Sequence, residues 1–187
     1  MQYTLSYQKP EQQYLDISLK MDGLSDEDFV TLQLPAWRPG RYELGNFAKN
    51  IQRFGVKDDK GKSLRFEKVS KDSWIVQCKQ AKSIVVDYNF YSAELTAGST
   101  WIDEEMLYVN PVNCFLYRPD AMHHAAEVKL KVPKNYQVAT GMKLKNKHTL
   151  LARDVQELMD CPFIASADLK HDSYKVGKQT FQIWLAG

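Results

Sequence analysis

The sequence lacks the motifs on which several large classes of enzyme depend. Its nine glycines are dispersed, and neither G-x-x-x-x-G-K nor G-x-G-x-x-G occurs, which excludes the usual phosphate-binding loops. It has no H-E-x-x-H, the spacing that directs two histidines at one zinc ion, and no G-x-S-x-G nucleophile elbow. We therefore expect no catalytic residue and no metal-binding residue in this chain of 187 residues.

Cysteine, excess charge and long apolar runs are also scarce. Cys78, Cys114 and Cys161 are an odd number at wide spacings, which suits reduced thiols better than a disulfide framework. This favours the cytoplasm; an exported protein whose leader has been removed is the alternative. The net charge of +2 gives no general attraction to polyanions, and no apolar run approaches the roughly 20 residues of a membrane span. We expect neither nucleic acid nor membrane as a partner.

What the chain does have is alternation of apolar and polar residues, which predicts antiparallel strands buried on one face. The apolar members of these segments are Tyr3, Leu5 and Tyr7; Leu15 to Met21; Val30 to Leu34; Ile84 to Phe90; Val128 to Val132; and Phe181 to Leu185. Residues that tolerate turns separate several of them, as at Asp22-Gly23 and Asp58 to Gly61. About ten strands are expected, which is enough for two packed sheets. The prediction is one all-β domain over residues 1–187, an antiparallel β-sandwich.

Helical patterns are short and few. Leu44, Phe47 and Ile51 fall at helical spacing and predict a helix over Glu43 to Ile51. A second helix is predicted from Asp154, which can cap it, to Met159, shortly before Pro162. The domain should carry one or two such helices.

One loop has an unusual composition. Two prolines and a glycine restrict the backbone after a strand and hold aromatic and cationic side chains there: Trp37, Arg38, Pro39, Gly40, Arg41 and Tyr42. Such a loop suits recognition or domain docking. The alternative is a corner of the sandwich, with Trp37 in the core and both arginines in solvent.

This loop and four later segments resemble, in order, the N-terminal domain of the glycyl aminopeptidase family. Residues 34–42 followed by 47–51 resemble the pattern P-x-W-x-P-G-x-Y … F-x-(K/R)-x-I. The later segments are Lys71 to Trp74, Val86 to Tyr91, Leu107 to Tyr117, and Glu157 to Pro162. The chain departs from the family at Gly45 and Asn46, where an arginine and a glutamate are common, and at Cys161, which replaces the usual serine. The segment from Thr96 to Asp103, which includes Gly98, is also divergent, because Thr96-Ala97 stands where the family has V-R.

The resemblance implies a function that these residues could not perform alone. Members of this family are zinc metallopeptidases whose zinc ligands lie in a later, thermolysin-like domain. Their N-terminal domain is a saddle-like β-sandwich that packs on the catalytic domain and helps to close the cleft around the substrate's N-terminus. The expected partners are thus its own catalytic domain and a peptide substrate. The chain would end before the catalytic domain.

The resemblance also points to two candidate substrate-binding residues. In related aminopeptidases a polar side chain from this domain helps to bind the substrate's α-amine. By position Asn110 is the best match and Asn113 the next; the alternative is that Asn110 caps the turn before Pro111.

A second function stays open on the sequence. Exposed tryptophans can stack on sugars or peptides, so Trp37, Trp101 and Trp184 allow a free-standing β-sandwich that binds carbohydrate or peptide.

Overall fold

A computed structural model describes residues 1–38 and 40–186; Pro39 and Gly187 lie outside the described residues. The described chain forms sixteen strands: β1 (Gln2–Ser6), β2 (Tyr14–Asp22), β3 (Phe29–Gln33), β4 (Ile51–Asp58), β5 (Phe66–Lys68), β6 (Ser73–Gln77), β7 (Ser83–Tyr91), β8 (Trp101–Ile102), β9 (Met106–Val109), β10 (Ala126–Leu130), β11 (Gln137–Thr140), β12 (Lys143–Asn146), β13 (Thr149–Ala152), β14 (Phe163–Ser166), β15 (Lys170–Val176) and β16 (Gln179–Leu185). Two short helices, α1 (Pro111–Cys114) and α2 (Val155–Asp160), and three 3₁₀ turns, Pro10–Gln12, Phe47–Asn50 and Pro119–Ala121, lie between strands. The predicted mainly antiparallel β-fold is confirmed.

The strands form four sheets. The largest has seven strands in the order β12-β13-β10-β1-β2-β7-β4, and smaller sheets have the orders β11-β14-β9-β8, β3-β6-β5 and β15-β16. Neighbouring strands pair in antiparallel fashion except β1 and β10, which are parallel. Buried side chains of the seven-, four- and three-stranded sheets belong to one hydrophobic core, so these sheets pack together as layers.

Aromatic side chains join the layers. Phe54 of β4 stacks on Trp74 of β6 with ring centroids 5.1 Å apart, which ties the seven-stranded sheet to the three-stranded one. Tyr88 of β7 donates its hydroxyl hydrogen to the Cys114 carbonyl over 2.7 Å, and Tyr3 of β1 donates to the Leu116 carbonyl over 2.8 Å. These bonds hold the segment after α1 against the large sheet, and that segment positions the candidate site.

The six longest predicted strands are present, and the shorter ones were underestimated. The chain has more than the predicted ten strands because β5, β8, β9 and β11 to β14 are only two to four residues long. Segments of that length hold too little alternation to stand out in the sequence. The turn glycines Gly23 and Gly61 both have φ of 80°, as their place between strands predicted.

The two helix predictions had different outcomes. The helix from Asp154 is confirmed: the Asp154 carboxylate accepts a hydrogen bond of 2.8 Å from the Glu157 backbone N–H, which caps α2. The helix over Glu43 to Ile51 is wrong. Asn46 has φ of 49°, a left-handed conformation that interrupts a helix, and only the 3₁₀ turn Phe47–Asn50 follows. Leu44, assigned to the buried face of that helix, is exposed.

The cysteines are unpaired, with Cys78 and Cys114 buried and Cys161 half-buried. Burial raises the pKa of all three thiols above the ordinary value. The helices of the described chain are too short to cross a bilayer.

Candidate functional site

The recognition loop, residues 37–42, is closed by hydrogen bonds between its described residues. The Arg41 N–H donates to the Arg38 carbonyl over 3.3 Å, and Gly40 has a φ of 82°, a left-handed conformation that favours glycine. The Trp37 indole N–H donates to the Arg41 carbonyl. Tyr42 is 99% exposed and Trp37 is exposed, so Trp37 does not fill the core. Pro39, predicted as part of this loop, lies outside the described residues.

The two arginines of the loop have different surroundings. Arg41 pairs with Glu43 through two contacts, of 2.9 Å from Nε and 2.7 Å from Nη2. Arg38 turns inward, and its Nε is buried without a hydrogen-bond partner. Its guanidinium lies on Gly98, where an added Cβ would fall 2.0 Å from Arg38 Nη2. The alternative prediction, in which both arginines lie in solvent, is therefore wrong for Arg38.

Asn110 and Asn113 both bind the same loop, residues 94–100. Asn113, in α1, is buried and donates from Nδ2 to the Gly98 carbonyl over 2.8 Å. Asn110 precedes α1 and donates from Nδ2 to the Ala97 carbonyl over 3.4 Å. Its side chain makes no capping bond to the helix, so the capping alternative is wrong. Arg38, Asn110 and Asn113 thus meet at Ala97 and Gly98.

Loop 94–100 is held rigid by its own hydroxyl groups. Ser99 Oγ donates to the Glu94 carbonyl over 2.5 Å and accepts from the Thr96 N–H over 2.7 Å. The Tyr108 hydroxyl also donates to the Ala97 carbonyl, over 3.0 Å. Burial raises the pKa of Tyr108, and the charge of Arg38 opposes that rise. The loop is therefore fixed at both of its central carbonyls.

A cleft of about 240 Å³ opens beside this loop. The cleft is lined by Asn113 and by Gly98 to Thr100 of this loop, and Phe47 and Phe90 contribute apolar surface to it. Charged side chains also line it: Arg41, Lys49 and Glu94. The Oδ1 of Asn113 is buried and has no hydrogen-bond partner. A buried acceptor without a partner is uncommon, so it is a candidate for binding a donor that enters the cleft.

The structure brings some predicted site residues to this cleft and leaves others away from it. Asn113 and Arg41 line the cleft, and Arg38 contacts the loop that forms its wall. Asn110 is not among the residues that line the cleft, and its side chain binds the Ala97 carbonyl of the neighbouring loop. Trp37 and Tyr42 project from the turn into solvent.

Three contributors were not predicted as site residues from the sequence. Lys49 entered the sequence analysis only as the (K/R) position of the pattern F-x-(K/R)-x-I. Glu94 lies among ordinary surface charges, and nothing in its neighbours marks it. Gly98 was noted only as part of a divergent segment. Its role depends on a contact across 60 positions, with Arg38, that no local pattern reveals.

The tryptophans of the alternative binding module do not form one surface. Trp37 is in the loop, Trp101 is in β8 with its indole N–H on Asp103 Oδ2 at 2.8 Å, and Trp184 is in β16 against His171. Among the described residues these three indoles make no ring contact with one another. A stacking platform built from all three is not supported.

No metal can be assigned to this part of the chain. Residues 1–38 and 40–186 contain no group of three or more His, Cys, Asp or Glu side chains placed to hold an ion. The residues present therefore do not fit the zinc that the resemblance implies.

Comparison with known proteins gives a family and a fold. Residues 2–167 match the family described as the peptidase M61 N-terminal domain. A solved aminopeptidase N family protein from Idiomarina loihiensis is 24% identical and superposes with a TM-score of 0.89. That match covers 100% of this chain and 32% of the other. At this identity the match establishes the fold.

A looser structural likeness is to an M1 zinc metallopeptidase from Deinococcus radiodurans, with 14% identity and a TM-score of 0.47. It covers 98% of this chain and 45% of that one. No protein with a curated description matches in sequence. This chain spans about a third of the length of the solved protein from Idiomarina, as the coverage of that match shows.

Proposed function

This chain belongs to the peptidase M61 family through its N-terminal domain, and on that premise we propose that it is the non-catalytic N-terminal domain of a zinc metalloaminopeptidase of the glycyl aminopeptidase type. In this proposal it packs on a catalytic domain that follows in the intact protein and shapes the cleft for the substrate's N-terminus. The zinc belongs to that catalytic domain. The family match over residues 2–167 is the observation that carries the proposal.

The contact to substrate is proposed at Asn113. A protonated α-amine carries three N–H donors and needs acceptors around it. Asn113 Oδ1 is buried and has no partner, whereas its Nδ2 is held by the Gly98 carbonyl, so the oxygen's direction is set in advance. The Glu94 carboxylate on the same cleft favours an ammonium group, whereas Lys49 opposes it; the charge of Arg41, which also lines the cleft, is offset by its ion pair with Glu43. Asn113 is therefore preferred to Asn110, which does not line the cleft.

The first test compares two polypeptides: the 187-residue chain and the product of the same reading frame continued past Gly187. We expect zinc-dependent release of glycine from glycyl-p-nitroanilide by the longer chain and none by the shorter one. Stoichiometric zinc binding or turnover by the shorter chain would contradict the non-catalytic role. A longer chain that releases no amino acid would contradict the proposed aminopeptidase activity.

The second test addresses the cleft in the longer chain. Asn113→Ala should raise KM for substrates with a free α-amine by about tenfold, the effect of one lost hydrogen bond to a charged group, with a smaller change in kcat. Asn135→Ala, at an exposed turn, is the matched control. Equal KM values for both variants and the unmodified enzyme would remove Asn113 from the proposal.

A further inference from the structure

Strands β15 and β16 form a hairpin that stands apart from the rest of the fold. They pair only with each other, from Lys170 opposite Leu185 to Val176 opposite Gln179. Gly177 supplies the positive φ that a two-residue hairpin turn needs. All residues of β15 are exposed, and in β16 only Trp184 is half-buried. A two-stranded hairpin in this state is marginally stable, so its order implies further support in the intact protein.

The register makes one face of this hairpin apolar. Residues directly opposite each other in an antiparallel pair lie on the same face, and alternate residues share it. One face therefore carries five large apolar side chains, which are 40–59% exposed: Tyr174, Val176, Phe181, Ile183 and Leu185. The same face also carries Lys170 and Gln179 at its two ends and Asp172 between them. Tyr174 and Phe181 stack with centroids 5.1 Å apart. We call this set the apolar hairpin face.

The opposite face is mostly polar. It carries Ser173, Lys175, Thr180 and Gln182, together with the stacked pair of His171 and Trp184. Alternation of this kind is typical of a strand pair whose apolar side is covered by other structure and whose polar side meets water. A contiguous apolar surface left open is uncommon in stable proteins and marks an interaction site.

The family match and the structural match differ at this point of the chain. The match to the M61 N-terminal domain ends at residue 167, three residues before β15 begins. The match to the Idiomarina structure covers the whole of this chain, including the hairpin, in a polypeptide about three times as long. The hairpin thus lies outside the residues that match the N-terminal domain family but inside the region that superposes on the Idiomarina structure.

We propose that the hairpin β15-β16 is the first hairpin of the next domain and that the polypeptide following Gly187 covers the apolar hairpin face. This rests on the proposed function, because that function requires a domain after this one. Neither β15 nor β16 pairs with a further strand among residues 1–38 and 40–186, so strands of the following segment can extend the same sheet. Only the short segment between Ser166, the end of β14, and Lys170, the start of β15, would then connect the two domains, which restricts their relative placement more than a long flexible linker does.

Cysteine labelling of the longer chain tests this. Ile183→Cys, in a Cys161→Ser background, places a thiol on the apolar hairpin face; Lys62→Cys, at an exposed turn, is the control. In the 187-residue chain both thiols should react with a maleimide at similar rates. In the longer chain we expect I183C to react at least about 100-fold more slowly and K62C at an unchanged rate. Equal reactivity of I183C in both chains would overturn the proposal, as would a stop codon after Gly187.

A second copy of the chain is the competing occupant. If the longer chain dimerises in sedimentation velocity and Ile183→Asp makes it monomeric, the face binds another copy and the proposal is overturned. The outcomes also separate this proposal from the proposed function. An active peptidase with a reactive I183C leaves only the function standing, whereas a protected I183C without aminopeptidase activity leaves only the hairpin assignment.

Discussion

The guanidinium of Arg38 occupies the space in which a side chain of residue 98 would stand, since a Cβ built on Gly98 falls 2.0 Å from Arg38 Nη2. The lack of space for a side chain favours glycine at position 98. The backbone conformation does not require it, because the φ of Gly98 lies outside the left-handed region. The contact joins the recognition loop to the loop that binds Asn110 and Asn113.

Gly98→Ala should therefore displace Arg38 and loosen the recognition loop. The far end of arginine is flexible, so the loss of unfolding free energy should be modest, about 1 kcal/mol. Urea denaturation measures this loss, and hydrogen exchange at residues 37–45 reports the loosened loop. Gly55→Ala is the matched control, since its added Cβ meets no atom within 4 Å.

A double-mutant cycle makes this prediction specific. In an Arg38→Ala background the obstruction is gone, so Gly98→Ala should cost less than it does with Arg38 present. Additive costs would show that Gly98 is constrained by something other than Arg38.

Tyr88→Phe should be more destabilising than Tyr3→Phe. The Tyr88 hydroxyl donates to the Cys114 carbonyl and accepts from the Leu116 N–H at 3.2 Å, so its removal leaves two buried groups unpaired. Removal of the Tyr3 hydroxyl leaves one buried group, the Leu116 carbonyl, without this hydrogen bond. We expect losses of about 2–4 and about 1–2 kcal/mol, respectively, in urea denaturation. The reverse order would mean that one of these bonds is replaced by water.

The rate at which Cys161 is alkylated should increase with pH over a higher range than it does for a free cysteine. Burial, followed by the nearby Glu157 and Asp160 carboxylates, raises the pKa of this thiol, so the reactive thiolate forms at higher pH than in a free cysteine. The rate of iodoacetamide labelling should still be rising above pH 9, and Cys161→Ser should abolish it in the native chain. A rate that levels off near pH 8.5 would contradict the shift.

Asp103 should contribute stability that acid removes. Burial opposes ionisation of this carboxylate, but hydrogen bonds from the Trp101 indole and the Met106 and Glu105 N–H groups outweigh burial and lower its pKa. A lowered folded pKa gives stability that is present above the unfolded pKa, near 4, and is lost as pH falls through the lower folded value.

Asp103→Asn measures this contribution. Because Asp103 is half-exposed, the expected cost at pH 7 is only about 1 kcal/mol, and the variant and the unmodified chain should converge as pH falls through the lowered folded pKa. Trp101 fluorescence during urea denaturation follows both. A difference that does not shrink as the pH is lowered would assign the effect to packing and not to charge.

Elements specified by short-range pattern were predictable. The strands around Leu15 to Met21 and Ile84 to Phe90 bury every second residue in the structure, as the alternation of apolar and polar residues in their own sequences predicted. The cap at Asp154 acts within three residues, on the Glu157 N–H. The helix expected at Glu43 failed because Asn46 adopts φ of 49° and bonds Lys71, 25 positions away.

By itself the sequence determined the β-rich class and the family, because alternation and ordered motifs are local properties of the chain. Only the tertiary structure decided that Arg38, Asn110 and Asn113 meet at one loop, and that Asn113 lines the cleft and has a buried oxygen without a hydrogen-bond partner. It also decided that the alternating residues of β16, which in the sequence resemble any core strand, leave their apolar side uncovered. Burial depends on what lies across from a strand, and that partner is set by the fold and not by the strand's own residues.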